Sequence, residues 1–454
     1  MKKYELIPTE ENLIDALYQD KISRNKDIVY FYNILQAQKS ACAIAIDGRW
    51  GSGKTFFVRQ EKLVINALNP FFDLAGDKKT KIMASLPFSQ KNEDNIENFN
   101  VAVYYDAWEN DNDVDPILSL IYEITRQLST DFDISDRSLI EIAGSIVEAI
   151  SGRNITGILN ALKSDDPFAK FKDQKDIETK IKGFFEKILN ERGNRLVIFI
   201  DELDRCKPDF AVHLLEQIKH YFSDDRITFV FSVNLEQLQH TIKHYYGADF
   251  DSCRYLDRFF DLRIVLPPAD MEKFYRNIGL EASYYADIFT RQVIRMYNFQ
   301  LREIERFYSQ VEAAIYAPTH KSEEYNFYFP EGKGKAIILT YIVPLLIGLH
   351  MADTSLYTDF VNGKNAEPLK QLFAIDEDDY IKSLFLNNDE SFSKEEGKKY
   401  VTSDEIIDRL YAAIFVNQYT GGIYHVMIGE YEFTKESRNF ALRASGMMTL
   451  YADL

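Results

Sequence analysis

The sequence predicts a doubly wound α/β domain with a mainly parallel sheet over Ala41 to Leu266, followed by a mostly helical region from Met271 onward. Three observations predict it. An apolar run ending at Ile46 leads into a glycine-rich turn, and Phe56 onward carries no helix breaker, which is the pattern of strand, loop and helix. A second run, Leu196 to Ile200, has five apolar residues in a row between polar flanks, as a central parallel strand buried on both faces requires. Beyond Met271 the apolar spacing becomes helical over Tyr285 to Tyr297, Leu301 to Ala317, Ala336 to Met351, Glu405 to Val416 and Glu436 to Tyr451.

Composition sets the outer bounds. A chain of 454 residues, 46% apolar and 14% aromatic, is long enough for two or three folded domains. Its 53 basic and 71 acidic residues leave a net charge of −18, so the surface as a whole repels nucleic acid and anionic lipid. Cys42, Cys206 and Cys253 are widely spaced and read as ordinary buried thiols of a reducing cytosol, with no zinc site or disulfide framework. The N-terminus has no signal-peptide core, and the longest apolar run, Ala336 to Leu349, falls short of the ~17 to 25 residues of a bilayer span and holds Pro344 and Gly348. A cytoplasmic protein without membrane association is expected.

Along the chain, Glu11 to Ala37 has helical apolar spacing in two pieces, expected to pack against the domain that follows. Gly48 to Thr55, Gly-Arg-Trp-Gly-Ser-Gly-Lys-Thr, then fits G-x-x-x-x-G-K-[ST]. The residue types have reasons. Gly48, Gly51 and Gly53 let the backbone N–H groups around Arg49, Trp50 and Ser52 turn inward on phosphate oxygens, where a Cβ would obstruct. The helix N-terminus at Thr55 and Phe56 adds partial positive charge. Lys54 can reach the β- and γ-phosphates and the Thr55 hydroxyl can ligate Mg²⁺, so the stretch is a candidate triphosphate site.

Lys78 to Asn98 is polar and aperiodic and reads as a surface connection. Asn100 to Tyr105 is the next strand, and Asp115-Pro116 supplies an N-cap and an N1 proline to a helix. Leu139 to Leu162 is amphipathic, with Ile142, Ile146 and Ile150 on one side and Glu141 and Glu148 interrupting it; Ser164 to Lys175 is a polar separator. The second apolar run ends at Asp201-Glu202. Ligands of parallel sheets lie beyond the carboxyl ends of the strands, so this strand can bring two carboxylates beside the phosphate loop: Asp201 to hold Mg²⁺, Glu202 to polarise the attacking water. A third strand, Thr228 to Val233, ends at Asn234, whose amide can bond that water or the γ-phosphate. A helix over Leu235 to Tyr246, a short helix that holds Arg258, a last strand and Pro267-Pro268 complete the domain. Tyr325 to Phe329 and Gly422 to Phe433 read as short strands, and Asp376 to Asp379 as a solvated charge run.

Four blocks together resemble the KAP family of P-loop NTPases, relatives of the AAA+ and STAND ATPases: Gly48 to Thr55, Tyr105 to Asp111 (Tyr-Asp-Ala-Trp-Glu-Asn-Asp), Ile200 to Pro208 (Ile-Asp-Glu-Leu-Asp-Arg-Cys-Lys-Pro) and Tyr255 to Leu262 (Tyr-Leu-Asp-Arg-Phe-Phe-Asp-Leu). The resemblance covers about residues 30 to 310. It implies a sheet in the order 5-1-4-3-2 with an additional-strand catalytic glutamate, ATP as substrate, Asn234 as a sensor, Arg258 as an arginine finger, and Arg302 as the second sensor, with Arg306 also available in the same helix. The organisation that follows is packing helices over 1–38, the P-loop domain over 39–270 with a helical insertion at about 116–190, a helical lid over 271–320 and a mostly helical domain over 321–454. Asp106 departs from the Asn of many relatives. Many members also insert transmembrane helices between the two Walker motifs, where this chain has the charged Leu139 to Leu162.

The function implied is an ATP-hydrolysing switch, homo-oligomeric, in signalling or antiphage defence, with a protein partner engaged through the C-terminal region. Two alternatives stay open. Asp201-Glu202-Leu203-Asp204 also fits the DExD box of a nucleic-acid-stimulated translocase, against which stand the net charge and the helical region after Met271. A low-turnover nucleotide-dependent scaffold is the other, and Glu202 speaks against it.

Overall fold

A computed structural model describes residues 7–72, 74–86, 99–131, 141–147, 150, 169–222, 224–281, 285–316, 333–374, 384–385, 402–416 and 425–446. The chain forms two units, Met1–Phe274 and Tyr275–Leu454.

The first unit opens with helices α1 (Glu10–Tyr18) and α2 (Asn25–Gln36), the two pieces expected from spacing. Then come β1 (Cys42–Asp47), α3 (Lys54–Leu68), α4 (Gly76–Ser85), β2 (Asn100–Asp106), α5 (Pro116–Asp131), α6 (Ala169–Arg192) and β3 (Arg195–Asp201). A 3₁₀ turn (Leu203–Arg205), α7 (Pro208–Tyr221), β4 (Ile227–Val233), α8 (Leu235–Tyr246), α9 (Ser252–Leu256) and β5 (Leu262–Val265) complete it. All five strands are parallel in the order β2-β3-β4-β1-β5, which is the order the resemblance implies read from its other edge.

Side-chain alternation divides the core into two faces. Ala45, Val103, Ile198, Phe229 and Phe231 belong to the cluster shared with α5, α6, α7 and α8. Ile44, Ile46, Ala102, Val197, Phe199 and Val230 belong to the other, with α1, α2, α3 and α4. Both faces are covered over β1 to β4, so those strands are apolar at nearly every position, as the two apolar runs required, while the edge strand β5 is largely exposed. Asp115 caps α5 by accepting from Ile117 N (2.9 Å) and Leu118 N (3.1 Å), as expected.

Two expectations for this unit are corrected. The start of the expected surface connection, Lys78 to Ser85, belongs to the helix Gly76–Ser85; it buries Ile82 in the face formed by α1 and α3, and one apolar anchor is too little to register as periodicity. Of the three thiols, Cys42 and Cys206 are buried but Cys253 is exposed, on a short helix that faces solvent. The amphipathic stretch Leu139 to Leu162 is described only over 141–147 and 150, where Ile146 and Ile150 join the core.

α3 also carries Glu61, fully buried, with neither carboxyl oxygen hydrogen-bonded among the described residues. Burial raises its pKa well above the ordinary value of 4.5. The folded state therefore keeps a proton that the unfolded chain releases, and stability falls as pH rises from that ordinary value toward the raised one. Glu61→Met is expected to raise the thermal midpoint at pH 7 by several degrees, from about 1–4 kcal/mol of relieved burial cost. The gain should shrink toward pH 4; a variant less stable than wild type at pH 7 would show that the carboxylate is needed.

In the second unit the helices are α11 (Tyr285–Met296), α12 (Leu301–Tyr316), α13 (Lys333–Ala352), α14 (Thr354–Val361), α15 (Glu367–Phe373), α16 (Ser403–Tyr411) and α17 (Ser437–Ser445). The linking helix α10 (Met271–Ile278) lies at the junction of the units. Where one short strand was expected over Gly422 to Phe433, the second unit has a hairpin, β6 (His425–Ile428) with β7 (Tyr431–Thr434), which turns through Gly429 at φ 60°. Tyr325 to Phe329 and Asp376 to Asp379 lie outside the described residues.

α13 is longer than the apolar run alone suggested. It spans 20 residues at a mean hydropathy of 1.8, long and apolar enough to cross a membrane, and 67% of that window is buried within the protein. Pro344 is accommodated by a π turn over Ile338–Ile342, which absorbs the missing N–H donor without ending the helix.

Candidate functional site

The carboxyl ends of β1, β4 and β3 meet in register, since Ile46 pairs with Ser232 and Ser232 with Asp201. Cross-links then tie the loops beyond them together. Gly48 N donates to Val233 O (3.2 Å), Glu202 N to Ser232 O (3.2 Å), and Leu235 N to the Asp47 carboxylate (3.0 Å). The glycine-rich loop and the Asp201-Glu202 turn are thus held on either side of β4, as the ligand rule for parallel sheets requires.

The loop needs its glycines. Gly51 and Gly53 have φ of 81° and 90°, left-handed values that a Cβ disfavours, and a Cβ on Gly48 would stand 2.9 Å from Ser52 Oγ and 3.4 Å from Lys54 Cδ. Thr55 and Phe56 lie in the first turn of α3, whose N-terminal N–H groups and dipole attract anions. Lys54 is buried, and its Nζ donates to Gly48 O (2.6 Å) and Arg49 O (3.2 Å). Burial lowers its pKa, opposed by the carboxylates of Asp204, Asp201 and Asp47, so three acids from the ends of two strands, β3 and β1, converge on one ammonium.

Asp201, 1% exposed, accepts from Tyr104 Oη (2.9 Å) on one oxygen and from Glu202 N (3.0 Å) on the other. Burial and the Asp201 charge push the Tyr104 phenol upward, so it stays a neutral donor. Each Asp201 oxygen keeps a second lone pair, and the Thr55 hydroxyl adds another hard oxygen donor. Such a set fits Mg²⁺, which is held by one or two carboxylate or hydroxyl ligands together with substrate phosphates and water. Among the described residues no group of three or more His, Cys, Asp or Glu side chains could form a metal cage by itself. Glu202 follows at φ 59°, ψ 25°, a left-handed conformation sparsely populated by non-glycine residues and common at functional turns.

The remaining predicted residues fall in several places. Asn234 is at the end of β4, where its side chain caps α8 by accepting from Gln237 N (3.3 Å). Arg258 is not within a helix, as placed from sequence, but in the turn after α9, because the chain must reverse there to enter β5; it is exposed, with no ion pair among the described residues. Arg302 and Arg306 are exposed on α12, in the second unit, where both line a cavity of about 570 Å³ with His350 and Tyr357.

Sequence reasoning missed Arg24. It precedes α2, is 4% exposed, and its Nη2 donates to Ser52 O (3.1 Å) and Pro267 O (2.9 Å), pinning the phosphate loop to the domain's exit. Burial pushes its pKa down to about 10. A single arginine between two amphipathic helices gives no local signal of that role. Also unforeseen, Trp50 Nε1 donates to the buried Asp204 carboxylate (2.5 Å), joining the phosphate loop to the turn after β3.

The chain is similar to several known proteins. A protein of unassigned function from Methanocaldococcus jannaschii is 32% identical over 99 residues, which are 21% of this chain; the chain spans 50% of that relative's length. Among solved structures, the ORC2 protein of Aeropyrum pernix, in ADPNP and ADP complexes, is similar over 87% of this chain and 95% of its own, at 10% identity and a TM-score of 0.33. Residues 24–313, well over half of the chain, match the KAP family P-loop domain, so the chain belongs to the KAP family of P-loop NTPases.

Proposed function

We propose that the chain is a Mg²⁺-dependent ATPase that acts as a nucleotide-controlled switch. The observation that carries this reading is the placement of Asp201 and Glu202 across β4 from the glycine-rich loop, with the Lys54 ammonium in the field of Asp204, Asp201 and Asp47. In this reading Gly48 to Phe56 bind the triphosphate, Lys54 neutralises the β- and γ-phosphates, and Thr55 and Asp201 hold the ion. Bound there, Mg²⁺ would neutralise charge on the phosphate oxygens. Glu202 orients and polarises the attacking water, and Asn234 keeps its amide N–H₂ for that water or the γ-phosphate while its oxygen caps α8. Arg302 is assigned the role of second sensor. A GTPase is disfavoured because no Asn-Lys-x-Asp base-reading motif is present. Turnover of ATP against GTP, with and without Mg²⁺, tests the reading directly.

ATP binding would order the lid and neighbouring subunits, and hydrolysis would release them; the switch needs only different ATP affinities in the two states. A role in signalling or antiphage defence, a partner bound through the C-terminal region and a cytoplasmic location are supported by the family resemblance, and the burial of α13 favours a core helix over a membrane span.

The exposed Arg258 side chain, without an ion pair among the described residues, supports assembly as a homo-oligomer in which it enters the ATP site of a neighbouring subunit. A guanidinium on the γ-phosphoryl group is worth ~10³ to 10⁵ in rate. Turnover per subunit is expected to rise with protein concentration, and Arg258→Ala to lose hydrolysis while keeping ATP affinity. Mixing Arg258→Ala with Lys54→Ala should restore some activity, because the first keeps an intact ATP site and the second supplies the arginine. A dead mixture beside a wild type active as a dilute monomer would place the arginine in cis or outside the chemistry.

A further inference from the structure

Glu202 is the N-cap of the 3₁₀ turn Leu203–Arg205, and Arg205 N donates to Glu202 O (3.0 Å), which closes the turn and brings the two residues together. Arg205 accordingly lies over Glu202, with Nη1 3.0 Å from Oε2; both side chains are mostly buried, at 24% and 15% exposure. The same guanidinium stands 5.7 Å from the Trp50 ring and 5.5 Å from the Trp108 ring, within cation–π range of each. Those are the only two tryptophans in the chain. One belongs to the glycine-rich loop and the other follows β2, and each remains about half exposed, at 46% and 52%. Trp50 is itself tethered, through Nε1–H, to Asp204 in the same 3₁₀ turn.

Four parts of the site therefore converge on one cation: the phosphate loop, the segment after β2, the 3₁₀ turn and the carboxylate assigned to water activation. A glutamate with three rotatable bonds, projecting from a strand end, samples many orientations unless something fixes its tip. We propose that Arg205 is a positioning residue for the proposed hydrolysis: clasped between Trp50 and Trp108, it fixes the Glu202 carboxylate relative to the phosphate loop. Arginine suits this task because its planar guanidinium can stack on aromatic faces while its edge bonds a carboxylate, which an ammonium cannot do. The proposal rests on the hydrolysis reading, and its consequences separate chemistry from binding.

The test compares wild type with Arg205→Ala, Arg205→Lys and Trp108→Ala, measuring kcat and KM for ATP, ATP affinity, and intrinsic tryptophan emission, which in this chain comes only from the two clasping indoles. Arg205→Ala is expected to lower kcat by about 10- to 100-fold, the range for a misplaced reacting group, while KM and ATP affinity change less than about threefold. Lysine should recover part of kcat through its charge, and Trp108→Ala should lose part of it. Emission should shift in Arg205→Ala, and also in Glu202→Gln, where the cation loses its anchor; the double variant should shift no further than Arg205→Ala alone. An unchanged kcat in Arg205→Ala, an equal loss of ATP affinity, or emission blind to Glu202→Gln would overturn the proposal. Wild type inert toward every nucleoside triphosphate would instead remove the hydrolysis reading, and the proposal with it.

Discussion

Lys54→Ala is expected to lose ATP binding to the point that no turnover is measurable. Lys54 is buried at the mouth of the loop, its ammonium donates to the Gly48 and Arg49 carbonyls, and three carboxylates bias it toward the charged form against the cost of burial. Removing it leaves a triphosphate facing Asp47, Asp201 and Asp204 without the side-chain cation that balances them. Truncating one partner of a buried, hydrogen-bonded charge pair costs about 2–5 kcal/mol, or about 30- to 4,000-fold in Kd. Equilibrium titration with a fluorescent ATP analogue measures it. Affinity within about threefold of wild type would mean that the loop's N–H groups hold the phosphates without the lysine.

Glu202→Gln is expected to bind ATP as wild type does and to hydrolyse it about 10²- to 10⁴-fold more slowly, the usual contribution of a positioned general base. The amide keeps the size and shape of the side chain, so the left-handed turn at φ 59° and the hydrogen bond from Glu202 N to Ser232 O should persist. What disappears is the negative charge that polarises water and pairs with Arg205. Single-turnover phosphate release at saturating ATP isolates that step from binding. A wild-type rate would remove the carboxylate from the chemistry.

The sheet was readable because its physical demands are local. Strands buried on both faces need unbroken apolar runs, and Cys42–Asp47, Arg195–Asp201 and Ile227–Val233 provide them. The glycine-rich loop was readable for a similar reason, since Gly51 and Gly53 adopt backbone conformations that restrict the residue type. The α4 helix escaped because its contact with the core is Ile82 amid polar residues. Arg258 was displaced by the boundary of a five-residue helix, where one turn more or less leaves little trace in sequence.

The links that complete the candidate site depend on tertiary proximity and were illegible. Arg24 and Ser52 are 28 positions apart, and Trp50 and Asp204 are 154 apart; nothing near either residue announces the other. The resemblance to the family named the block containing Asp204 and Arg205, yet only the fold shows Arg205 resting between Trp50 and Trp108. Arg302 and Arg306 were singled out by their helix, and their shared cavity with His350 lies wholly in the second unit.

The central claim is that the turn after β3 and the glycine-rich loop form one hydrolytic centre for ATP. Its most direct measurement is the identity of the nucleotide that stays with the protein after incubation with ATP and Mg²⁺ and removal of free ligand. Wild type should carry mainly ADP, Glu202→Gln mainly intact ATP, and Lys54→Ala neither. Intact ATP on wild type, or ADP formed equally well by Glu202→Gln, would contradict the account.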